Sequence, residues 1–190
     1  MQKPFGPPFR ARFINIVQTF GARIRRDIRG AAAVEFALIL PFLLILLTGL
    51  VELTNYMMVS RKIVASTQVV GDLVGVEISV NAGKMNNIFA ATSSLLAPFS
   101  TNQFRIAVAS VRYDQNTGVA SEDWQSVFNS GSIANSAVIG DGFGGPGDSV
   151  IVVQADYTYV PLVSSVFPLD LSITETAFVR PRRVRFVDFN

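Results

Sequence analysis

From Ala31 to Val51 the chain reads AAAVEFALILPFLLILLTGLV, an apolar run whose one charge is Glu35. As a helix it would be about 31 Å long at ~1.5 Å per residue, which matches the ~30 Å hydrocarbon core of a bilayer. The run predicts a transmembrane helix over residues 31–53, with Glu52 at its outer edge. The helical pattern continues beyond it. Val59, Ile63, Val70, Leu73, Val74 and Glu77 fall on one stripe, while Arg61, Lys62, Gln68 and Asp72 take the other side. One helix from about Ala31 to about Val76 is predicted, any break falling near Gly71 or Gly75. A second helix over about Met85 to Leu96 places Met85, Ile88, Phe89 and Leu96 on one face and stops at Pro98.

The later runs have a different period. Phe104 to Tyr113 alternates as a strand does, Asp114 to Gly118 (DQNTG) is turn material, and a return strand is expected near Trp124. Val150 to Val160 is β-branched and tyrosine-rich and ends at Pro161, and Leu171 to Val179 forms a third run. Helices followed by strands predict an α+β domain over residues 54–190, with a small antiparallel sheet packed on the helices. Gly140 to Ser149 (GDGFGGPGDS) reads as a mobile loop.

Charge then orients the chain. Residues 1–30 carry seven basic side chains against Asp27 alone, whereas the remainder has nine basic and thirteen acidic, a net of −4. The basic balance therefore belongs to a leader rather than to a nucleic-acid surface, and Arg23, Arg25, Arg26 and Arg29 just before the span place the N-terminus in the cytoplasm. Residues 1–12 (MQKPFGPPFRAR) read as disordered. From Phe13 to Ile28 the apolar spacing fits either a short helix on the inner membrane surface or a basic tail that only sets topology.

Composition removes most catalytic chemistry. With no cysteine and no histidine the chain has no disulfide framework, no thiolate metal site, no Cys or Ser/His nucleophile system and no histidine acid/base. Carboxylate chemistry remains, but the one adjacent acidic pair, Glu122 and Asp123, would point to opposite faces of a strand. Asp141 and Asp148 are oxygen ligands of the kind calcium prefers, in a spacing that is not an EF-hand loop. Trp124, Tyr157 and Tyr159 read as packing residues, and Arg180 to Arg185 as a solvated basic end. No enzyme activity, cofactor, small-molecule substrate or nucleic-acid partner is expected.

Three readings meet at Gly30. A secretory signal peptide would have a shorter apolar core and a small-residue cleavage site after it. A plain signal anchor accepts the length but gives no reason for Glu35, because a carboxylate within a span is costly and calls for a partner. Pro41, at mid-span, removes a helix hydrogen bond and predicts a kink. Thr48 and Gly49 are small enough to admit another helix, without a full G-x-x-x-G repeat.

The third reading is a resemblance. Gly30-Ala31-Ala32-Ala33-Val34-Glu35-Phe36, preceded by the arginines and followed by the apolar run, resembles the leader of type IV prepilins. RRDIRGAAAVEFALILPFLLILLTGLVEL is similar to the TadE family, the pseudopilin-like proteins of tight-adherence (Flp) pilus systems. Asp72-Leu73-Val74, Ala97-Pro98-Phe99, Arg105 to Arg112, Trp124 and Thr174 to Arg182 extend the likeness more loosely. It implies cleavage by a membrane-embedded prepilin peptidase between Gly30 and Ala31, with Gly30, Ala31, Glu35 and Phe36 as the processing motif. It also implies an inner-membrane protein whose C-terminal domain is periplasmic, possible incorporation in a pilus, and partners among other pilins, pseudopilins and inner-membrane assembly proteins. In such filaments Glu35 would meet the new amino terminus of a neighbouring subunit, an ion pair that sets register more than it stabilises. The alternative is an unprocessed single-pass protein whose periplasmic domain scaffolds an envelope complex.

Overall fold

The structure, a computed structural model, describes residues 28–161, 164 and 170–190. The expectations for residues 1–27, including Arg23, Arg25, Arg26 and the amphipathic stretch from Phe13, lie outside them. The chain divides into two compact units, Met1–Val51 and Glu52–Asn190.

In the first unit the described chain is helix. Helix α1 (Ile28–Gly75) begins three residues before the expected start and holds Pro41 within it. Every described side chain from Gly30 to Val51 is exposed, and the stretch is long and apolar enough to cross a membrane. Thr48 satisfies its hydroxyl within the helix by donating to the Leu44 carbonyl at 2.7 Å.

The second unit opens with the remainder of α1, which buries Val59, Ile63, Ser66, Thr67, Val70 and Val74. Leu73, expected on that stripe, is exposed. It sits about 100° around the helix from Val74, off the buried arc. The helix stops at Gly75, and Glu77 beyond it pairs with Lys84 at 2.7 Å instead of extending the stripe. Strand β1 (Ser79–Val80) follows, then helix α2 (Ala82–Ser93). The α2 start falls earlier than Met85 because the Asn81 side chain caps it, accepting from the Lys84 amide at 2.9 Å. Its end tightens into a 3₁₀ turn over Ser94–Leu96.

The sheet strands are β2 (Phe104–Tyr113), β3 (Ala120–Phe128), β4 (Ser149–Tyr159) and β5 (Leu171–Val179). Their order is β3-β2-β4-β5 and every neighbour is antiparallel. This is the α+β architecture that the order of elements predicts. Both faces of the sheet are covered where β2 and β4 cross its middle. On one face Phe104, Ile106, Val108, Ile151 and Val153 meet Ile63, Val70, Met85 and Phe89. On the other, Ala107, Ala109, Val111, Val150 and Val152 meet Ile133 and the partly buried Ile139, which lies in helix α3 (Ser136–Gly140). Double burial explains why β2 and β4 are almost continuously apolar rather than strictly alternating. A two-stranded parallel ribbon completes the unit, β1 pairing with β6 (Asp188–Phe189).

Two glycines set how closely α1 approaches this sheet. A methyl group at Gly71 would lie 2.7 Å from the Val179 side chain, and one at Gly75 would lie 2.9 Å from it. Both positions are therefore filled by the strand they touch.

Candidate functional site

The residues expected to form a processing motif occupy the first turns of α1. Among the described residues nothing lies within 4 Å of where a Gly30 side chain would begin, and Ala31, Ala32 and Ala33 are exposed, so small residues leave this turn of the helix uncrowded. Glu35 is one helical turn beyond Ala31, exposed, with Phe36 beside it at 59% exposure. The α1 backbone includes Arg29, and Pro41 is flanked by exposed Leu40 and Phe42.

Where the second unit begins, three side chains converge that the sequence did not single out together. Glu52 accepts a hydrogen bond from the Tyr159 hydroxyl at 2.7 Å, and the Tyr56 ring meets the Tyr159 ring edge-on with centroids 6.0 Å apart. Burial and the neighbouring carboxylate push the Tyr159 phenol up to about 12, so it remains a donor throughout the physiological range. Glu52 is thus more than an interfacial charge. It ties the end of β4 to the first turn of this unit, with Tyr159 part of the core as the sequence predicts.

At the opposite end of the sheet, the glycine-rich stretch is not the mobile loop that its composition suggests. The Tyr113 hydroxyl donates to the Gly140 carbonyl, and the Phe143 ring stacks on Phe178 with centroids 3.8 Å apart. Arg180 donates to the Phe143 carbonyl through both Nε and Nη2, at 3.1 and 2.7 Å. The Gly147 amide donates to Tyr113 O. Gly144 is glycine because any side chain there would run into the Tyr113 ring, and Gly142 and Gly147 hold positive φ. Burial raises the Tyr113 phenol against the lowering contributed by hydrogen bonds from the backbone at Gly144 and Phe143.

The basic tail is also more engaged than a solvated end. Arg180 clamps the loop, and Arg182 pairs with Asp72 of α1. Phe186 receives Arg112 over its ring at 4.6 Å, and Val187 O accepts from the indole of Trp124 at 2.6 Å. The tail is a strap that closes over the β2–β3 side of the sheet.

Three of the acidic residues weighed for chemistry, Glu122, Asp123 and Asp148, have structural partners. Asp123 pairs with Arg112 at 2.8 Å, while Glu122 accepts from Gln125 and Ser136. Asp148 accepts from the Gly145 amide. Among the described residues no group of three or more metal-ligating side chains gathers.

One long apolar helix followed by a small α+β domain defines a class: it fits a single-pass membrane protein. Residues 30–70 match the family model described as TadE-like protein, a match that begins on Gly30 and covers the span and most of what remains of α1. That family is a pilus-associated structural one, and the match supports a protein related to the Tad pilus. No curated protein and no solved structure matches the chain.

Proposed function

We propose that this chain is a minor pseudopilin, or a closely allied assembly protein, of a Flp-type tight-adherence pilus. Its leader, residues 1–30, is cytoplasmic and is removed by a prepilin peptidase between Gly30 and Ala31. Residues 31–53 cross the inner membrane and residues 54–190 form a periplasmic domain. The observation that carries this reading is that the family match starts on Gly30, where a glycine open to approach and three small residues stand just ahead of Glu35. Cleavage would create an α-amino cation at Ala31, one turn from Glu35. An exposed carboxylate at that depth in a bilayer is costly unless it is met, and the amine of a neighbouring subunit meets it. Arg23, Arg25, Arg26 and Arg29 hold the uncut leader in the cytoplasm. Its partners are then the peptidase, other pilins and pseudopilins, and inner-membrane assembly proteins.

The test is complementation of a strain lacking the gene. Glu35→Ala is expected to be cut and to remain in the membrane but not to restore pili or surface adherence. Restoration at the wild-type level would remove the register role from Glu35.

A further inference from the structure

Just beyond Glu52, on the side of α1 turned away from the sheet, Thr54, Met57, Met58, Arg61, Lys62 and Ala65 line a shallow depression of about 400 Å³. Its walls are mostly apolar. Met57 and Met58 are 49% and 42% exposed, where methionines in a water-facing helix would ordinarily be covered. Two cations close its far side. Arg61 makes no ion pair among the described residues, and Lys62 donates to the neutral Leu95 carbonyl at 2.8 Å, leaving two of its three N–H groups to spare. Asp72, further along α1, is paired with Arg182.

We propose that this groove holds an anionic phospholipid of the leaflet from which the span emerges, its phosphate on Arg61 and Lys62 and its chain running past Met58 and Met57 toward the apolar run. This rests on the membrane-spanning reading of residues 31–53. Three observations select lipid as the occupant. The groove begins two residues after Glu52, on the same helix as the span. Arg61 lies about 13 Å along the helix from Glu52 at ~1.5 Å per residue, and helical side chains lean toward the N-terminus. The arginine and lysine stems therefore reach back toward the headgroup layer, which adds roughly 5–7 Å to each side of the hydrocarbon core. Finally, a mostly apolar trough ending in two cations has the polarity of a phospholipid reversed in charge.

The experiment uses the full chain in nanodiscs of phosphatidylcholine with one-fifth phosphatidylglycerol, counting the lipids retained on release by native mass spectrometry. The wild type is expected to retain phosphatidylglycerol preferentially. Arg61→Gln with Lys62→Gln should lower that preference by about fivefold or more, since one cation near an anionic surface contributes about fivefold in affinity. Arg61→Lys with Lys62→Arg should keep it, and Arg183→Gln with Arg185→Gln, at the far end of the domain, should leave it unchanged. Equal preference in wild type and the double glutamine variant would overturn the proposal. So would disulfide formation between two copies of Met58→Cys at equal frequency in discs with and without the anionic lipid, which would assign the groove to a second helix. The chain has no cysteine of its own to confuse that readout. A protein that does not enter the disc at all would overturn the membrane-spanning reading as well.

Discussion

Gly71 is where the packing of α1 against the sheet can be tested most sharply. Replacing it with alanine has two opposed effects. In a helix interior alanine is favoured over glycine by about 1 kcal/mol. The added methyl group would stand 2.7 Å from Val179 Cγ2 and 3.6 Å from Val153 Cγ2. A contact at 2.7 Å is roughly an ångström inside the optimal carbon–carbon separation of ~3.5–4.0 Å, so Val179 must shift, and overpacking of this kind costs about 1–3 kcal/mol. The net expectation is destabilisation by about 1 kcal/mol despite the better helix former. Val179→Ala alone, at a partly buried site, should cost about 1 kcal/mol from lost burial. Combined, the collision disappears and the alanine propensity gain returns, so the double variant should be more stable than the sum of the singles by about 1–2 kcal/mol. The assay is denaturant unfolding of the full chain in detergent, followed through Trp124, the chain's only tryptophan. Additivity within about 0.5 kcal/mol would show that α1 does not rest on Val179 in this way.

Tyr159→Phe removes the donor to Glu52 and should destabilise the domain by about 1.5 kcal/mol or more, as expected for a hydrogen bond to a charged acceptor. Because the Tyr159 phenol is raised to about 12 from 10.0, its contribution is fully present below pH 10 and is lost as pH rises from about 10 to about 12. Unfolding free energy measured across that window should fall less steeply in the phenylalanine variant, and an unchanged slope would refute the linkage. Phe143→Ser removes the ring stacked on Phe178 and should speed amide exchange through residues 140–148 while leaving β4 protected. Equal exchange in both proteins would mean that the loop is held by something else.

The legibility of this fold follows the range of the interactions. The span and the outer half of α1 could be read because an apolar run and a 3.6-residue stripe are local signals. Leu171–Val179 emerged with its bounds intact because Ile173, Thr174, Thr176 and Val179 are β-branched and Asp170 and Pro181 bracket the run. The start of α2 was missed, although Asn81 carried the signal as a capping side chain. The order of the glycine-rich loop was not legible at all. Its composition is that of a flexible segment, and what fixes it lies 27 residues back at Tyr113 and 37 residues on at Arg180. The same holds for Glu52 and Tyr159, separated by 107 residues. The β1–β6 ribbon is two residues wide, too short for any period to show. At the proposed processing motif the sequence named Gly30, Ala31, Glu35 and Phe36, and the structure adds that no described residue crowds the glycine.

The central claim is that this is a processed pilus-assembly subunit, and the amino terminus of the protein in its own membrane tests it most directly. The chain would be extracted from cells with and without the prepilin peptidase and sequenced from its N-terminus. A start at Ala31 that reverts to Met1 when the peptidase is absent is the predicted result. A start at Met1 in both strains would contradict it and leave a signal-anchored protein whose domain scaffolds an envelope complex.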